Sequence, residues 1–247
     1  MIKSKWFSHY IYNDSAKINL FCFVHAGGSS SYFAQWQKHF SSNINVIPVE
    51  YPMREKRFMD TMPKSLLELS KDIVAENIDF FKDKPFAFFG HCTGGLIAYE
   101  CMKMLSKEYN INGKYLFISS LLAPEYAKVP SVENLSDKEF TEFIIKSGFV
   151  DKSICENTEL LEYFLPIARA DFYIHEKYSI IDTTPIEVPI ACFNGNNDNT
   201  TEEISKLDAW NSYTSKSFEK FFYNGNHFYL EEHLEELCSN LENLMLN

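Results

Sequence analysis

The chain of 247 residues lacks an excess of positive charge, a long apolar run and any closely spaced pair of cysteines. Lys and Arg number 23 against 34 Asp and Glu, so the formal net charge at pH 7 is −11. Nucleic acids and anionic membranes are bound through basic surfaces, and this charge argues against both as partners. Because no run of about 18 apolar residues occurs, no membrane span is predicted.

The start of the chain and its cysteines indicate a reducing compartment. Residues 1–12 hold no long apolar segment of the secretory type, so we expect no leader and a cytoplasmic protein. In that setting, scattered cysteines indicate reduced thiols rather than a disulfide framework or a zinc site. The six are Cys22, Cys92, Cys101, Cys155, Cys192 and Cys238. Neither a metal nor an organic cofactor is expected.

Apolar runs and helical patterns alternate along the chain. Short apolar runs closed by turn residues predict strands over residues 18–25, 45–50, 85–89, 115–120, 188–194 and 217–223. Strands that alternate with helices imply right-handed crossovers and a mainly parallel sheet flanked by helices. The intervening patterns predict helices, among them one over residues 65–81 and a last one over residues 229–245.

The alternation pauses between residues 124 and 178. The periodicity there predicts consecutive helices over residues 137–147, 158–165 and 168–174, which we interpret as an inserted lid. Its apolar side chains either line a substrate pocket or pack the lid helices together, and the second role is favoured for most of them. They are Phe140, Phe143, Ile144, Phe149, Phe164 and Phe172. Residues 1–247 then form a single α/β domain, expected to be a monomer.

The strongest local signal is residues 90–94, GHCTG, which fit the pattern G-x-nucleophile-x-G. The pattern follows a predicted strand and precedes a predicted helix, as a nucleophile turn requires. Strand and helix approach so closely at such a turn that Gly90 and Gly94 have no room for side chains. The turn also places the Cys92 sulfur at a helix N-terminus, which favours a thiolate. Taken alone, the pentapeptide fits an inert glycine turn equally well.

Two residues further along the chain are candidate partners for the thiol. Asp198 and His227 each follow a predicted strand, on loops rich in Asn and Gly, in the order nucleophile, acid, histidine. Because sites of parallel sheets form at that end of the strands, we expect both side chains near Cys92. His227 would take the thiol proton, and Asp198 would orient the imidazole. Separately, each could be an ordinary loop residue.

An oxyanion hole needs two backbone N–H groups. One is expected from Thr93, directly after the nucleophile. The other is expected from Ala26, in the loop that follows the first strand and contains Gly27 and Gly28. These two glycines would let substrate approach the backbone closely.

With these residues in view, the chain resembles the type II thioesterases of nonribosomal peptide and polyketide synthases. The likeness is carried by residues 20–30 (LFCFVHAGGSS), 85–95 (PFAFFGHCTGG), 169–172 (RADF) and 225–230 (GNHFYL), among others. It implies an α/β-hydrolase fold with a helical lid and hydrolysis of acyl groups from the phosphopantetheine arm of carrier domains. Matched by position, it implies a Cys92–His227–Asp198 triad with Ala26 and Thr93 as oxyanion donors.

Two departures from the family bear on chemistry and local structure. The family mostly has Ser where this chain has Cys92. A cysteine acyl-enzyme is itself a thioester, which leaves acyl transfer, amide formation or cyclisation open as the alternative to hydrolysis. The family also commonly reads P-G-R-E where this chain reads Pro52-Met53-Arg54-Glu55, so Met53 replaces a glycine.

Two further hypotheses concern partners. A binding protein on an inactive hydrolase fold is disfavoured, because all three triad residue types are present. An acidic chain is a poor match for acidic carrier domains, so docking would need a local basic patch. Arg54, Lys56 and Arg57 are the candidates for that patch.

Overall fold

A computed structural model describes residues 4–150 and 157–247 of the chain. Its strands are β1 (Ile18–Phe23), β2 (Ile44–Pro48), β3 (Phe86–His91), β4 (Leu116–Ser119), β5 (Ile190–Gly195) and β6 (Phe218–Tyr223). Its α-helices are α1 (Leu66–Glu76), α2 (Ile78–Asp83), α3 (Thr93–Tyr109), α4 (Asp137–Lys146), α5 (Thr158–Glu176), α6 (Ile204–Asp208), α7 (Tyr229–Glu232) and α8 (Leu234–Leu246).

The six strands form one sheet in the order β2-β1-β3-β4-β5-β6, and every neighbouring pair is parallel. The predicted parallel sheet is therefore confirmed. Its central strands are continuous apolar runs because helices cover the sheet and leave no polar face. Every residue of β1 and β3 is buried.

Three predicted helix boundaries are wrong. The helix predicted over residues 65–81 ends at Asn77, whose side-chain amide donates to the Ile73 carbonyl and replaces the next helical hydrogen bond. The last predicted helix is interrupted at His233. Conversely, the two helices predicted on either side of Pro166 are the single helix α5. Pro166 lies on an exposed part of α5, so water can satisfy the carbonyl that loses its donor.

The segment predicted as a lid, residues 124–178, contributes α4 and α5, and its residues 151–156 lie outside the described part. Ser136 begins α4 with a reciprocal capping box to Glu139. The two helices share an apolar cluster with Ala26 from the loop after β1. In residues 4–150 and 157–247, no helix has both the length and the apolar character needed to cross a membrane.

Candidate active site

Cys92 lies on a sharp turn between β3 and α3. Its backbone has φ 53° and ψ −126°, a conformation that residues other than glycine rarely adopt. A Cβ added to Gly94 would stand 2.2 Å from the Phe23 carbonyl oxygen, so this position must be glycine. The turn therefore has the backbone strain and the close packing that the sequence motif predicts.

His227 and Asp198 are brought together from the loops after β6 and β5. The His227 Nδ1–H donates to Asp198 Oδ2 at 2.9 Å, and both side chains are buried. The two loops touch: a Cβ on Gly195 would stand 2.3 Å from the Asn226 carbonyl oxygen. With Nδ1 engaged, Nε2 is the ring nitrogen left for a thiol, and it has no hydrogen-bond partner among the described residues.

The contacts within the predicted triad shift the pKa values of His227 and Asp198. Burial alone would lower the pKa of His227, but the Cys92 sulfur and the Asp198 carboxylate raise it to about 10. Burial would likewise raise the pKa of Asp198, but hydrogen bonds from His227 and Thr200 lower it to about 2. These contacts therefore favour the imidazolium form of His227 beside the Asp198 carboxylate.

Thr200 is a site residue that the sequence analysis missed. Its hydroxyl donates to Asp198 Oδ1 at 2.7 Å, and its backbone N–H bonds the same oxygen. An Asp followed two positions later by a polar residue is typical of an Asx turn. This pattern in the sequence could have identified Thr200 as a partner of Asp198. Ser120 was also missed; its hydroxyl donates to the His227 carbonyl at 3.1 Å and holds that loop.

Three other histidines surround the site as neutral groups. Burial lowers the pKa of His25 to about 3, that of His175 to about 4, and that of His91 well below its ordinary value. The charge of a protonated His227 lowers the pKa of His25 and His91 further. Of these four histidines, only His227 has surroundings that favour the protonated form.

His175, on α5, contacts the predicted oxyanion residue Thr93. His175 Nε2 lies 3.1 Å from the Ala127 carbonyl, so Nε2 carries the proton and Nδ1 accepts from the Thr93 hydroxyl at 2.9 Å. The Thr93 oxygen in turn lies 3.9 Å from the Cys92 sulfur. These contacts join α5 to the first residue of α3. His175 and Thr93 are 82 positions apart, so local sequence patterns do not reveal their contact.

The predicted oxyanion donors come from two separate segments, the start of α3 and the loop after β1. Thr93 is the first residue of α3, where the backbone N–H has no partner within the helix. Ala26 is buried, and its N–H makes no backbone hydrogen bond in the part of the chain that the structure describes. Next to it, the Gly27 N–H donates to Asp171 Oδ2 at 2.7 Å, which fixes the loop.

Asp171, on α5, is bound on its other side by Arg54. The Arg54 guanidinium makes two hydrogen bonds to the carboxylate, at 2.7 and 2.8 Å, and a third to the Gly28 carbonyl at 2.7 Å. Arg54 is only 1% exposed. We name this group, Arg54 with Asp171, Gly27 and Gly28, the loop clamp, because it ties α5 to the loop of residues 26–28. This loop is called the oxyanion loop below, after the role predicted for Ala26.

The predicted basic docking patch is wrong for two of its three members. Arg54 belongs to the loop clamp, and Arg57 is buried with its Nη1 donating to the Glu50 carbonyl. Lys56 alone is exposed. Beside them Met53, which stands where the family has glycine, takes φ 67° in the left-handed region that glycine adopts most easily.

Two cavities share Phe149 in their walls, and one of them contains the predicted nucleophile. One of about 300 Å³ is lined by Cys92 and His227, together with Phe143, Phe149 and His175 from the predicted lid. The other, of about 800 Å³, reaches the oxyanion loop at Gly27 and Gly28 and also contacts Phe149 and Phe164. The apolar residues of the predicted lid thus divide: Phe143, Phe149 and Phe164 line cavities, whereas Phe140, Ile144 and Phe172 are buried in the cluster.

Comparison with known proteins places the chain in a family. The family model described as the thioesterase domain matches residues 18–245. Gramicidin S biosynthesis protein GrsT of Aneurinibacillus migulanus is 33% identical over 246 residues, which cover 96% of this chain and 94% of that protein. Thioesterase PikA5 of Streptomyces venezuelae is 27% identical over 241 residues, covering 98% and 85%.

The fold is likewise similar to a solved structure. RedJ, a thioesterase from the prodiginine biosynthetic pathway of Streptomyces coelicolor, superposes with a TM-score of 0.86 at 28% identity. The match covers 93% of this chain and 91% of that one. The predicted hydrolase-type α/β fold is therefore confirmed.

Proposed function

The chain belongs to the thioesterase domain family, and we propose that it hydrolyses acyl thioesters held on the phosphopantetheine arm of synthase carrier domains. GrsT and RedJ are each named for a biosynthetic pathway, and both match nearly their whole length. By this similarity the protein acts as a type II, editing thioesterase of a peptide or polyketide synthase. The observation that carries the proposal is a strained Cys92 turn with the His227–Asp198 pair beside it.

In the acylation step, Cys92 Sγ, whose proton has already passed to His227 Nε2, attacks the thioester carbonyl carbon. Asp198 and Thr200 keep the imidazole in place and stabilise the charge it gains. The carbonyl oxygen becomes an oxyanion, for which the N–H groups of Ala26 and Thr93 are the proposed donors. When the tetrahedral intermediate collapses, the pantetheine sulfur leaves and receives the proton from His227.

Deacylation repeats these steps with water. His227 takes a proton from the water that attacks the Cys92 thioester, and the acid is released as the sulfur regains its proton. The cavity of about 300 Å³ at Cys92 is of a size to hold the acyl group or the arm. We propose that residues 124–178 form the lid over it and that the protein acts as a monomer on its carrier partners.

The test compares the wild-type protein with Cys92→Ala, using acyl-pantetheine and acyl-carrier substrates. Wild-type protein should release free thiol, and intact mass should show a transient acyl group on Cys92. The matched control is Cys238→Ala, a buried cysteine of α8 outside the site, which should keep its activity. Undiminished thiol release by Cys92→Ala would overturn the proposal.

Alkylation provides a test without substrate. Burial raises the pKa of Cys22, Cys101, Cys192 and Cys238, which leaves these thiols unreactive at neutral pH. Iodoacetamide should therefore modify Cys92 ahead of these four. Equal, slow modification of all five would favour a binding protein on an inactive fold.

A second candidate function, acyl transfer or amide formation, is favoured by one observation, the cysteine at position 92. Its acyl-enzyme retains the energy of a thioester and stays reactive towards an amine or thiol. Adding such an acceptor to the same assay separates the two functions. Free acid as the main product supports hydrolysis, whereas acceptor adducts as the main product support transfer.

A further inference from the structure

Outside the active site, three potential metal ligands from separate segments converge. His9 comes from the segment before β1, Glu50 from the residues just after β2, and Glu55 from a short 3-10 helix. One ligand atom from each lies within 4.8 Å of the others. No cysteine takes part, so the absence of paired cysteines in the sequence does not bear on this group.

Glu50 distinguishes this group from an ordinary cluster of surface carboxylates, because its side chain is buried. Its side chain is 0% exposed, and its Oε1 accepts a single hydrogen bond, from the Lys56 backbone N–H at 2.8 Å. Its Oε2 is buried without a partner among the described residues. A buried unpaired carboxylate is costly and calls for a cation or a proton.

The surroundings of His9 and Glu55 also favour a bound cation. His9 Nε2 is also buried without a hydrogen-bond partner in the described residues, and it lies 3.6 Å from Glu55 Oε2. Glu55 is held in place by the backbone N–H groups of Ser30 and Ser31 and by the Ser30 hydroxyl. Such outer hydrogen bonds orient metal-binding carboxylates.

The neighbouring basic side chains are engaged elsewhere. The Lys56 ammonium donates to the Ser8 carbonyl at 3.4 Å. Arg57 bonds Asp60 and a backbone carbonyl, and Arg54 belongs to the loop clamp. None of the three donates a side-chain hydrogen bond to either carboxylate of the cluster among the described residues.

We propose that His9, Glu50 and Glu55 bind one divalent first-row cation of the Mn²⁺ or Zn²⁺ type. Two carboxylates balance the charge of a dication, and one imidazole with two carboxylate oxygens is a ligand set that these ions accept. The side chains of His9 and Glu55 are 30% and 17% exposed, so water can reach the remaining coordination positions.

The site has a structural consequence for the active centre. Glu55 holds Ser30 and Ser31, which directly follow the oxyanion loop, and Arg54 of the loop clamp precedes Glu55 in the chain. A cation bound here ties the N-terminal segment to the loop that supports Gly27 and Gly28. Its role is to stabilise that support, and it takes no part in the proposed chemistry at Cys92.

The test measures Mn²⁺ binding to the metal-free full chain by electron paramagnetic resonance of free Mn²⁺ and by calorimetry. Mn²⁺ is chosen because it prefers oxygen and nitrogen ligands, so it discriminates against the thiol of Cys92. The variants are Glu50→Gln and His9→Gln. The control is His233→Gln, a histidine 3.7 Å from Glu236 at the surface with no buried carboxylate.

Wild-type protein and His233→Gln should bind one Mn²⁺ per chain with equal affinity. Glu50→Gln and His9→Gln should each bind at least about tenfold more weakly, since they lose a direct ligand. Circular dichroism checks that each variant is folded. Absence of saturable binding, or binding that Glu50→Gln leaves unchanged, would overturn the proposal and indicate that Glu50 holds a proton. Since the readout is binding, this result is independent of thioesterase activity.

Discussion

The loop clamp allows a single substitution to test whether the contact between the predicted lid and the oxyanion loop stabilises the protein. Asp171→Asn keeps the shape of the side chain but removes its charge, leaving the Arg54 guanidinium buried with a neutral partner. The new NH2 group must also face donors: Arg54 Nη2 if it replaces Oδ1, or both Arg54 Nη1 and the Gly27 N–H if it replaces Oδ2. Breaking a buried ion pair by removing one partner costs about 3–5 kcal/mol.

The lower end of that range is expected for Asp171→Asn, because asparagine still accepts some of these hydrogen bonds. About 3 kcal/mol in a chain of this size lowers Tm by roughly 6–12 °C. The control is Asp137→Asn, which disrupts the surface pair with Arg169 and should cost less than about 1 kcal/mol. Both are Arg–Asp contacts of the predicted lid, but the control pair is exposed and lies within the lid, whereas the loop clamp is buried and ties the lid to the loop after β1.

Activity adds a second measurement to the same variants. Without the anchor at Gly27, the N–H of the neighbouring Ala26, the proposed oxyanion donor, would lose its fixed position. Loss of one such donor costs about 10²-fold in kcat, and we expect KM to change much less. Thermal unfolding and steady-state kinetics of Asp171→Asn and Asp137→Asn would be compared side by side. Equal Tm values for the two variants would refute the role assigned to the loop clamp.

Three further predictions concern single positions. Cys92→Ala removes the sulfur that raises the pKa of His227, so NMR titration should show this pKa falling from about 10. Because the folded pKa lies above the unfolded value of about 6.5, His227 stabilises the wild type fully below that pH and loses this contribution towards about pH 10. Urea unfolding between these pH values should show a smaller loss in Cys92→Ala, and identical profiles would contradict the coupling. Met53→Gly relieves φ 67° and should raise the free energy of unfolding by about 1 kcal/mol, whereas the exposed Met59→Gly should not; a destabilised Met53→Gly would contradict the strain. Gly94→Ala places a Cβ 2.2 Å from the Phe23 oxygen and should prevent normal folding, so a wild-type Tm for this variant would exclude the close approach.

Much of the fold could be predicted because its signals are local. Apolar runs closed by turn residues marked all six strands to within a few residues, and GHCTG marked the turn after β3. Helix boundaries failed where one side chain decided the outcome. The Asn77 amide ends α1 by bonding a helical carbonyl, and α5 runs through Pro166 because its buried residues hold it in place.

For the candidate site, the sequence by itself determined the turn at Cys92 and the loops that carry Asp198 and His227, since each follows a strand whose end is readable from neighbouring residues. Only the tertiary structure decided which side chains support them. Thr93 meets His175, and Arg54 meets Asp171, across 82 and 117 positions of chain. Such pairs produce no periodic pattern in the sequence, because they depend on how α5 packs over the strand ends. The same packing turned an apparent basic patch at Arg54 into a buried clamp.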